Sequence, residues 1–192
     1  MEKLTGLKKI KTAVFISGTG SNLKNIIQFS KLKKSPITID LIVSNTHLAT
    51  GLKYADQFKI KKKIFNFKNF KDSEKNILLL LKKQKIRFIC MAGFMKILSK
   101  KFIEKFHGKI INIHPSLLPK YKGLNTHNRA IKNKDKFAGC TIHYVTAILD
   151  SGEIILQKKV KITSKDDVDS LAKKVLKQEH KLYSAAIIKI FN

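Results

Sequence analysis

The chain has 192 residues, of which 43% are hydrophobic, so it can bury a core and fits one domain over residues 1–192 better than two. Its apolar runs are no longer than strands and its first residues, MEKLTGLKKI, lack the apolar centre of a signal peptide, which argues against a membrane partner and for a cytoplasmic protein. A total of 40 Lys and Arg against 13 Asp and Glu gives a formal charge of +27.

The positive charge is scattered over nearly every predicted helix and loop, and arginine is almost absent. Such a pattern is typical of solvated faces, so we expect no specific nucleic-acid partner. Weak RNA association and a general attraction for anionic metabolites stay open as alternatives. A monomer and a homodimer are both compatible with the sequence. Cys90 and Cys140 lie among apolar neighbours, which indicates buried core residues rather than a disulfide or a metal site.

Apolar runs bounded by turn residues predict strands, and amphipathic runs predict helices. The predicted strands are residues 11–17, 37–44, 61–67, 87–92, 109–114, 139–146 and 153–162. The predicted helices are residues 21–33, 48–60, 72–85, 99–107, 126–133 and 166–189, with Asp72 or Ser73 as the cap of the third. This alternation predicts an α/β, Rossmann-like fold, in which a mostly parallel twisted sheet carries helices on both faces. The loops after Ser17, Ala92 and His114 should then share one rim, where ligands bind in such sheets.

The sequence SGTGSN (residues 17–22) lies between the first strand and the first helix. Its glycines allow close backbone approach, and free N–H groups together with the Ser21 hydroxyl can hold an anion. The dinucleotide fingerprint fails because Leu23 occupies the third glycine position, and the lysine of a P-loop is missing. A phosphate site and an ordinary tight turn with a helix cap are both compatible with these residues.

Two polar side chains, Asn112 and His114, lie two residues apart at the end of the fifth strand, before Pro115. Alternate residues of a strand point to the same side, so the amide and the imidazole can converge, where they could stabilise an oxyanion and donate a proton in acyl transfer. A carboxylate is needed to keep the imidazole protonated. Asp150 is the best candidate and Glu153 competes with it, although a turn aspartate before Ser151 is an equally good interpretation of Asp150.

The remaining chemistry-bearing residues give weaker signals. Glu179 is at helical spacing from apolar neighbours in the last helix, where a buried acid needs a partner, either a ligand hydroxyl or a lysine. His143 is interpreted as a core histidine. The His, Cys and acidic residues do not have zinc-site spacings, and no nucleophile elbow is present, so we expect neither metal nor covalent catalysis.

Five motifs, in order over essentially the whole chain, resemble those of the phosphoribosylglycinamide formyltransferase family, folate-dependent enzymes of purine biosynthesis. They are SGTGSNL (17–23), MAGFMKIL (91–98), INIHPSLLPKYKGLNTH (111–127), HYVTAILDSGEIILQ (143–157) and QEHKLY (178–183). The resemblance implies that the amine of glycinamide ribonucleotide attacks the formyl carbon of 10-formyltetrahydrofolate, the formyl-donor co-substrate, without a metal.

The resemblance also implies roles for individual residues. Asn112, His114 and Asp150 match the family's catalytic residues, with cationic His114 and the Asn112 amide at the oxyanion. The positions that match the ribonucleotide-binding residues are Gly20, Ser21, Asn22 and Glu179. The positions that match the folate-binding segment are Met95, Lys96, Ile97 and Leu98, together with Asn112.

The chain departs from the family pattern at several positions. Lys96 stands where the family usually has Arg, Asn125 where His is common, and Ala147 where an acid is frequent. The basic residue that meets the folate's glutamate tail has no clear counterpart, and Lys68 and Lys71 are the candidates.

Two related functions stay as alternatives, a methionyl-tRNA formyltransferase-like enzyme and a formyltetrahydrofolate hydrolase. The first needs a further RNA-binding domain, for which 192 residues leave no room, and the second usually carries an extra N-terminal domain, whereas the first strand here begins by Lys11. A binding module without catalysis is a third possibility, of a different class.

Overall fold

In the part of the chain that the structure describes, the strands form one seven-stranded sheet, in the order β3-β2-β1-β4-β5-β6-β7. The computed structural model describes residues 9–191; residues 1–8 and 192, which belong to the predicted domain, lie outside the described residues. Five strands are parallel: β1 (Ile10–Ile16), β2 (Ile37–Ser44), β3 (Lys61–Ile64), β4 (Phe88–Met91) and β5 (Lys109–His114). The last two, β6 (Phe137–Tyr144) and β7 (Ile154–Lys161), join antiparallel to their neighbours. The mostly parallel α/β sheet predicted from the sequence is confirmed.

Within residues 9–191, six α-helices accompany the sheet. They are α1 (Ser21–Ser30), α2 (Lys53–Gln57), α3 (Phe70–Lys83), α4 (Lys100–Lys105), α5 (Thr126–Lys132) and α6 (Val168–Phe191). Of the helices in this part of the chain, none combines the length and apolar character needed to cross a membrane.

Each face of the sheet has its own apolar core. On one face, Leu23 and Ile27 of α1 and Val175 of α6 pack against strand residues such as Val14 and Ile111. On the other face, side chains of α3 and α4 pack against the alternate strand residues; examples are Ile77, Leu81, Phe102, Phe15 and Ile89. This alternation follows from the strand period of two and explains why the buried strands are almost continuously apolar. Cys90 and Cys140 are buried, free core residues, as predicted.

Several predicted boundaries are wrong, each for a local reason. The helix predicted over 48–60 reduces to a 3₁₀ turn at Thr50–Leu52 followed by α2. The strand predicted over 61–67 ends at Ile64. It is an exposed, lysine-rich edge strand, and such strands resist pairing with other chains. Helix α3 begins at Phe70, because the Asn69 side chain, rather than Asp72 or Ser73, accepts the first-turn backbone N–H.

The fold brings the predicted site loops to one edge. β1, β4 and β5 are adjacent and parallel, so the segments after Ile16, Met91 and His114 leave the sheet side by side at its carboxyl edge. The Ser17 backbone N–H bonds the Gly93 carbonyl at 3.0 Å, which ties two of these loops together. The single rim predicted from the sequence is therefore present.

Candidate active site

Two polar side chains at the end of β5 form the centre of the site. Asn112 and His114 alternate with apolar residues and so lie on one side of the strand. Asn112 is half-buried and His114 is 5% exposed. Across the antiparallel β5–β6 pairing, Asn112 lies opposite His143 and His114 lies opposite Thr141.

Both ring nitrogens of His114 face oxygen atoms. Nδ1 lies 3.3 Å from the Asp150 Oδ2, and Nε2 lies 2.8 Å from the Tyr121 carbonyl oxygen. A carbonyl oxygen and a carboxylate can only accept hydrogen bonds, so each ring nitrogen needs a hydrogen to satisfy its neighbour. The surroundings of His114 therefore suit the doubly protonated imidazolium.

Asp150 is fixed by the backbone around it. Its side chain is buried, and its Oδ2 accepts the Gly123 N–H at 2.9 Å. Its backbone has a φ of 47°, a left-handed conformation that is uncommon for a non-glycine residue and that concentrates at functional sites. Glu153 is exposed. Of the two acids considered from the sequence, the structure places Asp150 beside His114.

His143 belongs to this cluster, which the sequence did not reveal. Burial lowers the pKa of His143, and the hydrogen bond to the Tyr144 carbonyl and the charge of Asp150 oppose that change only in part. In the neutral ring, Nδ1–H donates to the Tyr144 carbonyl at 2.8 Å, which leaves Nε2 to accept from the Asn112 amide at 3.3 Å. The bond orients the amide, and the second amide hydrogen is then available to a ligand oxygen.

These side chains open into a cavity of about 740 Å³. The segment predicted to bind folate lines it, with Met95, Lys96, Ile97 and Leu98 all contributing. Several large apolar side chains of the cavity wall are exposed to solvent; they are Met95, Ile97, Leu124, Ile148 and Leu149. Exposed apolar side chains with a few convergent polar groups are typical of a ligand site.

The cavity also has a polar wall made by α1 and α6. The Asn22 Nδ2 donates to the Glu179 Oε2 at 2.7 Å, and both residues are buried. Burial raises the pKa of Glu179, and the Asn22 amide opposes this in part. Among the described residues the Asn22 Oδ1 has no hydrogen-bond partner. A buried acceptor without a partner is costly, so this oxygen suits a ligand donor.

Gly20 and Ser21, the other two positions predicted to bind the ribonucleotide, do not line the cavity. Gly20 has a φ of 74° and precedes the first residue of α1, Ser21, which is half-buried. The N-terminal end of α1 at the sheet rim remains compatible with the predicted anion site.

The structure does not bring Lys68 and Lys71 to the site. Neither lines the cavity, and Lys71 instead borders a separate cleft between α3 and α4. His127 lines the cavity although the sequence gave no reason to select it. Burial, together with the charge of His114, lowers the pKa of His127, and its Nδ1 has no hydrogen-bond partner within the described range.

A Rossmann-like sheet with an amide, an imidazole and a carboxylate in a cavity at its carboxyl edge defines an α/β enzyme equipped for acyl transfer. The comparisons with known proteins make this class more specific. The family model described as formyl transferase matches residues 10–187, and the chain belongs to this family, within its phosphoribosylglycinamide formyltransferase branch.

Individual relatives agree with that membership. The chain is 42% identical over 180 residues to the phosphoribosylglycinamide formyltransferase of Haemophilus influenzae, covering 92% of this chain and 85% of that one. The crystal structure of phosphoribosylglycinamide formyltransferase from Brucella melitensis matches with a TM-score of 0.90 and 40% identity, covering 95% of this chain and 96% of that one. The human trifunctional purine biosynthetic protein adenosine-3 is 41% identical over 183 residues, covering 94% of this chain, which spans only 18% of that protein.

Proposed function

We propose that this protein transfers a formyl group from 10-formyltetrahydrofolate to the amine of glycinamide ribonucleotide. One observation carries the proposal: Asn112, His114 and Asp150 meet in a single cavity that also has an apolar wall at residues 95–98 and a polar wall at Asn22 and Glu179. An apolar wall suits a flat folate ring, and a buried carboxylate beside an unpaired amide oxygen suits the hydroxyls of a ribose. The names of the relatives support a formyl transfer to phosphoribosylglycinamide.

In the proposed reaction, the amine nitrogen forms a bond to the formyl carbon and loses a proton. The formyl oxygen becomes an oxyanion in the tetrahedral intermediate. The bond between that carbon and the folate nitrogen then breaks, and the departing nitrogen gains a proton. The reaction therefore needs a group that stabilises negative charge and a path that relays one proton.

The three side chains fit these needs. The Asn112 amide, oriented by His143, has a hydrogen to offer to the oxyanion, and one such donor is worth about 10²–10³ in turnover. Imidazolium His114 places a positive charge on the same side of the strand, and a shift of its Nε2–H from the Tyr121 carbonyl to the substrate starts the relay. Asp150 balances that charge from 3.3 Å.

The deciding assay measures formyl transfer with purified protein, 10-formyltetrahydrofolate and glycinamide ribonucleotide. We expect folate consumption to depend on the ribonucleotide and to match formylated ribonucleotide mole for mole. Equal consumption without the ribonucleotide would instead identify a formyltetrahydrofolate hydrolase. Transfer to methionyl-tRNA alone would identify the other formyltransferase activity, and an absence of turnover would leave a binding module.

Asp150→Asn tests the roles in the site. The amide removes the negative charge that His114 faces, so turnover should fall by about 100-fold or more, while both substrates still bind. Glu153→Gln, the same kind of change at the exposed neighbouring acid, should leave turnover within about twofold of the wild type. Unchanged turnover in Asp150→Asn would remove this carboxylate from the mechanism.

A further inference from the structure

The segment between Pro119 and Asn125 contacts both charged members of the site through its backbone. The Tyr121 carbonyl oxygen lies 2.8 Å from the His114 Nε2, and the Gly123 N–H donates to the Asp150 Oδ2 at 2.9 Å. These two backbone groups are two residues apart in the chain. A shift of this loop would therefore change the surroundings of His114 and Asp150 together.

The conformation that presents the Tyr121 carbonyl is strained. Tyr121 has a φ of 58°, in the left-handed region that a bulky L-residue rarely adopts. Such a conformation persists only where the surroundings hold it.

A polar cluster outside the cavity holds the Tyr121 side chain. The Tyr121 hydroxyl donates to the Asp135 Oδ2 at 2.9 Å and accepts the Asn133 Nδ2–H at 2.8 Å. Lys120 donates to the other oxygen of Asp135 at 2.6 Å. The Arg129 guanidinium lies 4.8 Å from the centre of the Tyr121 ring. The Tyr121 ring is thus fixed at its face by a cation and at its tip by two hydrogen bonds.

Arg129 also holds the loop backbone. Its Nη1 donates to the Lys122 carbonyl at 2.7 Å, within the loop that carries Gly123. Asp135, Asn133 and Arg129 all belong to α5 or the turn after it, so one neighbouring segment contacts the loop at both Tyr121 and Lys122.

We propose that Tyr121 and Asp135 are positioning residues, which keep the Tyr121 carbonyl on the His114 Nε2 and so hold a hydrogen on that nitrogen and keep the ring correctly turned for formyl transfer. The turnover part of this inference rests on the proposed function. The state of the His114 ring does not, because it can be measured in the protein without substrates.

Tyr121→Phe removes both hydrogen bonds of the hydroxyl and keeps the ring and its stacking on Arg129. Asp135→Asn keeps the shape of the side chain and removes its charge. Asp56→Asn is the matched control, because Asp56 also pairs with a lysine, Lys62, at 2.6 Å on the surface, and neither residue lines the cavity. All three are made in the full chain, and unfolding in urea confirms that each variant folds.

The first readout is the ring ¹⁵N spectrum of His114 in labelled, ligand-free protein, assigned by its loss in His114→Gln. Wild type and Asp56→Asn should show a hydrogen on Nε2, and Tyr121→Phe and Asp135→Asn should show an Nε2 resonance displaced toward that of a ring nitrogen without a hydrogen. The second readout is the kinetics, where kcat should fall by about tenfold with KM for both substrates within about twofold.

Unmoved His114 resonances in both folded variants would overturn the proposal, whatever the activity. A loss of stability with unmoved resonances would assign the cluster a purely structural role. Displaced resonances in a protein that has no formyl transfer would support the positioning role and reject the proposed function, so the two failures are distinguishable. If Tyr121→Phe does not fold, Asp135→Asn decides the outcome alone.

Discussion

Buried polar side chains supply most of this site, and each is controlled by one or two specific neighbours. Asn112 depends on His143, and Asn22 depends on Glu179. His114 depends on Asp150 and on a backbone carbonyl. A buried polar group without its partner is costly, so removing one member of a pair affects both the stability and the geometry of the site.

Glu179 illustrates the consequence for stability. Burial raises its pKa, so between the ordinary carboxyl pKa and the raised one the folded protein binds more protons than the unfolded chain. The stability contributed by this group is therefore fully present at low pH and is lost as the pH rises through the folded-state pKa. Glu179→Gln cannot ionise and should be more stable than the wild type by roughly 1 kcal/mol at about pH 8, with the difference shrinking toward about pH 4.

Urea unfolding at several pH values measures this difference. Glu153→Gln provides the control, because an exposed carboxylate should give a curve parallel to that of the wild type. Parallel curves for Glu179→Gln and the wild type would show that ionisation of Glu179 does not oppose folding.

The sequence was sufficient to predict some residues of the candidate site but not others. Asn112 and His114 could be paired because the strand period alone places them on one side. His143 could not be joined to Asn112, because that contact depends on the register between β5 and β6. The contacts of Tyr121 and Gly123 with His114 and Asp150 use backbone atoms, which leave no trace in residue type.

At the scale of elements, the loop between β1 and α1 is held in place by a second segment of the chain, around Gly51. The Gly51 N–H donates to the Gly18 carbonyl at 3.0 Å, and the backbones of Gly20 and Gly51 are in close contact. Strand β1, the glycine loop and helix α1 were predicted, but the segment around Gly51 was predicted as helix. A helical pattern of apolar residues does not distinguish a helix from a short turn that supports a neighbouring loop.

Gly51→Ala tests that support. A Cβ there would lie 2.8 Å from the Gly20 Cα and 3.0 Å from the Gly18 carbonyl oxygen, so the backbone of the first loop must move. If this loop binds the phosphate, KM for the ribonucleotide should rise by about tenfold, with KM for the folate within about twofold. Gly18→Ala is the comparison, since a Cβ at Gly18 meets no atom within 4 Å and should disturb the loop less. Equal increases in both KM values would argue against a phosphate site in this loop.

At the scale of the whole molecule, the excess of positive charge should be the main electrostatic influence on stability. Ion pairs such as Lys62–Asp56 and Lys174–Asp166 are present, but 13 acidic residues cannot neutralise 40 basic ones. A surface ion pair contributes about 0–1 kcal/mol, whereas a net charge far from zero destabilises the compact state through self-repulsion. Repulsion between lysines should therefore lower the stability of the folded protein by more than the surface ion pairs raise it.

This balance predicts the effect of salt on stability. Raising NaCl from about 0.05 M to about 0.5 M shortens the screening length from more than about 10 Å to less than about 8 Å, which weakens repulsion over the lysine-rich surface. The free energy of unfolding in urea should rise by roughly 1 kcal/mol, because salt weakens the repulsion among the many lysines by more than it weakens the few ion pairs. Sodium sulfate at equal ionic strength is the comparison: a similar increase indicates screening, and a larger one indicates a further effect of sulfate, by its exclusion from the surface or by its binding. A fall in stability with NaCl would mean that the few ion pairs outweigh the excess of lysine.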